Sequence, residues 1–215
     1  MDQFPEEMQK VFKELLDLDK SRERIFCRME NSEKHSQMLS EMPHVDVLDL
    51  SVVFYFYVAE DGECVMSVPI NNQIATRLGL DADDLMEIAK ANMLEKLPPI
   101  VEPIRDIIED TLGPIPGEEL FPMLVITNDK HRFGAATILC VDLLDTLAEG
   151  LGGEIYVMPS SIHEIIVAPM IPELDAAHLR QVVESVNRDV LFGREVLSDN
   201  LYGYTKDKGL YIIAE

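Results

Sequence analysis

The sequence predicts an α+β fold, a mainly antiparallel mixed sheet built from hairpins and covered by amphipathic helices. Three observations carry that expectation. Leu48 to Ala59 contains the run Val52-Val53-Phe54-Tyr55-Phe56-Tyr57-Val58, aromatic and β-branched with little polar alternation, as in a strand covered on both faces. Turn residues separate paired extended segments at Asp61-Gly62, Pro159-Ser160-Ser161 and Lys206-Asp207-Lys208-Gly209, and hairpins imply antiparallel pairing because a parallel pair needs a long crossover. Helical periodicity alternates with these hairpins irregularly, which is the α+β pattern.

From the N-terminus, Met8, Val11, Phe12, Leu15 and Leu16 share a helical face, with Pro5 near its start and the charged run Asp17 to Arg24 behind it. Ile25 to Met29 reads as a short strand. Asn31-Ser32 caps a helix expected over Glu33 to Glu41, which Pro43 closes. After the Leu48–Ala59 strand, Cys64 to Ile70 is extended again. A short helix from Asn71 to Leu78 ends at Gly79, and Asp81 caps a longer one bearing Leu85, Ile88, Ala89, Met93 and Leu97.

Six of the twelve prolines fall between Leu97 and Pro122. Ile104 to Ile108 makes a short helix within that stretch, and Gly113-Pro114-Ile115-Pro116-Gly117 is loop. Met123 to Thr127 is a strand. Phe133-Gly134-Ala135 then opens a long helical pattern through Ile138, Leu139, Leu143, Leu144, Leu147 and Leu151, stopped by Gly152-Gly153. Glu154 to Met158 and Ile162 to Ala168 are strands. Leu179, Val182, Val183, Val186 and Val190 place a helix after Pro172, and Leu201–Thr205 with Leu210–Ala214 forms the last hairpin. The expected organisation is a helix and charged linker over 1–24, followed by a single domain over 25–215, with 97–122 as a lid or sub-domain boundary.

Composition narrows the function classes. The chain has 215 residues, 47% of them hydrophobic, which supports a packed core. Forty acidic residues against eighteen basic ones give a net charge of -22, which disfavours phosphate backbones and anionic membrane surfaces; solubility is the first reading of such a surface, and a basic protein partner or mimicry of nucleic-acid charge the sharper one. Cys27, Cys64 and Cys140 lie far apart without a CxxC pair, against a disulfide framework or a cysteine zinc site. The N-terminus MDQFPEEMQK lacks the pattern of a secretory signal and no apolar stretch is long enough for a membrane helix, so a cytoplasmic location is expected.

No phosphate-binding glycine loop, dinucleotide fingerprint or serine-hydrolase elbow is present, and no cofactor is expected. His163-Glu164 begins like a zinc-protease motif, but Ile165, Ile166 and Val167 follow and the second histidine is missing. Ser161, His163 and Glu164 form the densest group of reactive side chains. On a strand Ser161 and His163 share a face, yet neighbours at i and i+2 do not readily form a Ser–His hydrogen bond. A turn serine and a satisfied, partly buried histidine are the reading preferred over a catalytic pair. Asn128, in the loop Asn128-Asp129-Lys130-His131-Arg132, and Asp199 are the assisting groups that an enzyme reading would enlist. His44, Asp46 and Asp49 are hard-ligand candidates for a metal, with capping and surface charge as the alternative.

One resemblance gathers these scattered pieces. Asn31-x-Glu33-Lys34, Pro43-His44, Leu48-Asp49-Leu50, Thr127-Asn128, Phe133-Gly134-Ala135, Pro159-Ser160-Ser161-Ile162-His163-Glu164, Val186-Asn187, Leu197-Ser198-Asp199 and Tyr202-x-Tyr204 occur in order over residues 25 to 205. The chain thereby resembles an uncharacterised bacterial domain-of-unknown-function family. The resemblance implies a fold grouping and a set of positions, with no reaction attached. It also implies a further N-terminal β element and helix, which this chain is expected to lack, and an aromatic residue where Arg77 stands. The readings that result are a binding or regulatory module with a protein partner, a hydrolase using His163 as base with Asn128 and Asp199, and an acidic inhibitor or immunity-type protein.

Overall fold

The computed structural model describes residues 13–61, 64–112, 122–159, 161–189 and 195–214. The expected turn at Asp61-Gly62, the loop Gly113–Gly117, the helix positions Met8, Val11 and Phe12, and Ser160 fall wholly or partly outside these residues. The fold is α+β with two antiparallel sheets. The chain divides into two compact units, 1–47 with 51–97, and 48–50 with 98–215.

The first unit holds the helix Leu18–Ser21 (α1), strand Ile25–Asn31 (β1), one helical turn at Ser36–Leu39 (α2), strands His44–Val47 (β2), Leu50–Asp61 (β3) and Cys64–Pro69 (β4), and helices Asn72–Leu78 (α3) and Ala82–Lys96 (α4). Its strand order is β1-β3-β2, with β4 also on β3. Leu50, Val52, Val53, Phe54, Tyr55 and Phe56 are all buried, as an aromatic and β-branched run without polar alternation requires. Each such side chain removed from water contributes about 1.5–3 kcal/mol.

Local chemistry sets the helix ends. Asn71 Oδ1 accepts the Ile74 amide, and α3 stops at Gly79, whose φ of 69° is the left-handed conformation that glycine adopts without strain. Asp81 and Asp84 form a reciprocal capping box at the start of α4, so two members of the acidic cluster Asp81–Asp84 serve as helix-starting groups. The buried face of α4 packs on β1, where Cys27 Sγ meets Met93 Sδ at 3.1 Å. Asn92 Nδ2 donates to the carbonyls of Arg22 and Ile25, at 2.8 Å each.

The helix expected over Glu33 to Glu41 is shorter. Asn31 Oδ1 takes the Lys34 amide at 2.8 Å, making a turn in place of an N-cap, and only Ser36–Leu39 is helical.

The second unit contains strand Pro99–Pro103 (β5), helix Ile104–Leu112 (α5), strand Leu124–Asn128 (β6), a 3-10 segment Gly134–Leu139, helix Val141–Gly150 (α6), strands Glu154–Met158 (β7) and Ile165–Pro169 (β8), helix Ala176–Asp189 (α7), and strands Tyr202–Thr205 (β9) and Gly209–Ile212 (β10). The sheet order is β10-β9-β7-β8-β6-β5 and each neighbouring pair is antiparallel. Leu179 and Val183 of α7 cover Tyr156, Met158, Ala168 and Leu201, while α6 packs on β7 and β9.

Three departures from the sequence reading stand out here. The long helical pattern from Phe133 to Leu151 breaks at Cys140 (φ -85°, ψ 80°) into the 3-10 segment and α6. The strand expected from Ile162 starts at Ile165, so His163 and Glu164 lie on an irregular approach to β8 rather than on alternate faces of it. Finally, β5 lies within the proline-rich stretch. Pro98 O accepts the Asp129 amide and the Ile104 amide donates to Met123 O, so residues 98, 100, 102 and 104 turn their backbone groups toward β6. Pro99, Val101 and Pro103 therefore turn theirs outward, where a missing N–H costs no ladder bond.

Candidate functional site

The sequence-predicted residues of the second unit fall into two polar networks joined by backbone pairing. The first is built around Asn128, at the end of β6 and 2% exposed. Its Nδ2 donates to Arg132 O at 2.7 Å, and its Oδ1 accepts the amides of Lys130 (3.0 Å) and Arg132 (3.3 Å). One side chain thus closes the loop 128–132. The same loop holds His131 and Phe133 at positive φ, 51° and 53°, a conformation uncommon for residues other than glycine.

His163 completes this network. Its Nδ1 accepts the Phe133 amide at 3.3 Å, and its ring stacks on Phe133 with centroids 5.8 Å apart. The His163 carbonyl accepts Thr127 Oγ1 at 2.8 Å, and its amide donates to Ser161 Oγ at 2.9 Å. Ser161, 2% exposed, therefore spends its oxygen on a backbone amide. Gly134 packs against Thr127 and the His163 carbonyl so closely that a Cβ there would overlap both.

The second network centres on Asp49. Its Oδ2 accepts from Ser198 Oγ (2.6 Å) and Asn200 Nδ2 (3.0 Å), and its Oδ1 accepts from the Tyr202 hydroxyl. Ser198 Oγ in turn accepts the Asn200 amide at 3.0 Å. Asn187 Nδ2 donates to Ser198 O at 3.0 Å and to Asp199 Oδ1 at 2.7 Å. Tyr202 is fully buried, and burial, followed by the bond to the Asp49 carboxylate, pushes its hydroxyl well above the ordinary tyrosine range. Beside it, burial and the Asp145 carboxylate, 2.6 Å away, push the Tyr204 hydroxyl up to about 12.

The networks meet along an isolated antiparallel bridge, Ser161 to Val196, flanked by Ile162 N to Glu195 O (2.9 Å) and Ser198 N to Pro159 O (3.2 Å). Ser161, His163 and Asn128 thus belong to one network and Asp199 to the other. Glu164 is half-buried beside His163. Sequence reasoning missed Ser198, Asn200 and Tyr202 as partners of Asp49 across a separation of about 150 residues, and Asn187 as the residue that ties Ser198 to Asp199. A signal was present: Asp49, Asn187, Ser198, Asp199 and Tyr202 all lie in segments that carry the family resemblance.

In the first unit, His44 Nδ1 pairs with Met42 O at 2.9 Å, and its Nε2 stands 4.0 Å from Asp46 Oδ1. Asp46 accepts Ser51 Oγ at 2.7 Å. Asp49, the third metal candidate, is occupied by Ser198, Asn200 and Tyr202. Among the described residues no group of three or more His, Cys, Asp or Glu side chains is placed to hold a metal ion. The sequence reading also passed over Glu30, a buried carboxylate on β1 with Arg28 Nε at 2.7 Å and His35 Nδ1 at 2.6 Å. Such pairing offsets the cost of burying its charge. Among the described residues no helix is long and apolar enough to cross a membrane.

A family model described as a family of unknown function (DUF5688) matches residues 2–206. No curated protein and no solved structure matches the chain.

Proposed function

We propose, for a chain that belongs to the DUF5688 family of unknown function, a binding or regulatory role with a protein partner of basic character. The observation that carries this reading is where the reactive side chains spend their hydrogen bonds. Ser161 Oγ serves the His163 amide, His163 Nδ1 serves the Phe133 amide, and Asn128 closes its own loop. A general base needs an open lone pair within reach of the proton it takes. In His163 the Nδ1 pair is engaged by a backbone donor, which favours a scaffold role over hydrolysis.

These bonds hold the loops 128–133, 161–164 and 195–200 in fixed conformations, and preorganised surface loops lower the ordering cost of binding. The net charge of -22 favours encounter with a basic protein and opposes nucleic acid. A reducing cytoplasmic setting is supported by Cys27 and Cys140, both thiols.

The test compares two sets of variants of the full chain. Asp83→Asn, Glu87→Gln and Glu95→Gln neutralise the exposed face of α4 and spare its capping box. Ser161→Ala and His163→Ala remove the reactive groups. Proteins captured from native extract are quantified against a salt gradient, and turnover is assayed on p-nitrophenyl acetate and p-nitrophenyl phosphate. The expected result is capture that weakens with salt and with the α4 variants but survives the alanine variants. Turnover that His163→Ala abolishes in a folded protein would overturn the proposal.

A further inference from the structure

We draw no further inference here: the strongest candidate, the side-chain cluster of the first unit in which Ser32 pairs with Ser51 and Ser51 donates to Asp46 beside His44, carries nothing because those bonds are the ones the buried Ser51 hydroxyl needs to be satisfied, and nothing among the described residues shows what ligand it would receive.

Discussion

Replacing Gly134 by alanine probes the polar scaffold with a single methyl group. The added Cβ would overlap Thr127 Oγ1 and the His163 carbonyl and lie 2.8 Å from Thr127 Cα. Two of these obstacles are backbone atoms and cannot swing away. Forcing a methyl into such a site costs about 1–3 kcal/mol, and displacing the Thr127 hydroxyl from the His163 carbonyl removes a bond worth about 1 kcal/mol. Together they give a loss of about 3 kcal/mol, which lowers the melting temperature of a chain this size by roughly 6–12 °C. The chain has no tryptophan, so calorimetry or tyrosine near-ultraviolet dichroism is the suitable measurement. Thr127→Ala removes one of the obstacles, and the double variant should be less destabilised than the sum of the two by about 1 kcal/mol. A Gly134→Ala melting temperature within about 1 °C of the parent would refute the packing argument, since even the lower end of the overpacking range exceeds it.

Two further outcomes follow from the tyrosines and their carboxylates. Asp49→Ala strands the buried hydroxyls of Tyr202 and Ser198, at about 1–3 kcal/mol for each unsatisfied group. Hydrogen exchange should show faster opening across residues 198–202, and unchanged exchange there would refute the network. The Tyr204 and Tyr211 hydroxyls are held up to about 12, by burial first and then by Asp145 and Glu154. An unfolded tyrosine releases its proton near pH 10, so between about pH 10 and 12 the folded chain keeps protons that the unfolded chain has lost. Their contribution to stability is intact below about pH 10 and disappears as pH rises toward 12. A phenolate absorbance titration checks this, and Tyr204 and Tyr211 ionising at the ordinary tyrosine pH with the fold intact would contradict it.

Elements governed by local chemistry were legible in the sequence. Asn71, Gly79 and Asp81 bound their helices through bonds that reach a few residues, and the β3 run declares its burial through its own side chains. The β5 strand was not legible because its prolines read as loop. Only the pairing with β6, which turns Pro99 and Pro103 outward, makes them compatible with a strand. The candidate site divides along the same line. Asn128 was readable as a loop organiser because its bonds end within four residues. Asp49 was read as a metal ligand because its partners Ser198, Asn200 and Tyr202 are remote in sequence and no spacing rule connects them. His163 was placed on a strand because Ile165 to Ala168 is β-branched and apolar. The pairing of Ser161 with Val196, a long-range contact, instead ends the regular strand before His163 is reached.

The outward prolines of β5 also decide what that edge of the sheet can do. An incoming strand would find the N–H of Val101 and no donor at Pro99 or Pro103, so it could not complete a ladder there. Two residues that cost the pairing with β6 nothing thereby close this edge to strand addition, one route by which sheet proteins polymerise.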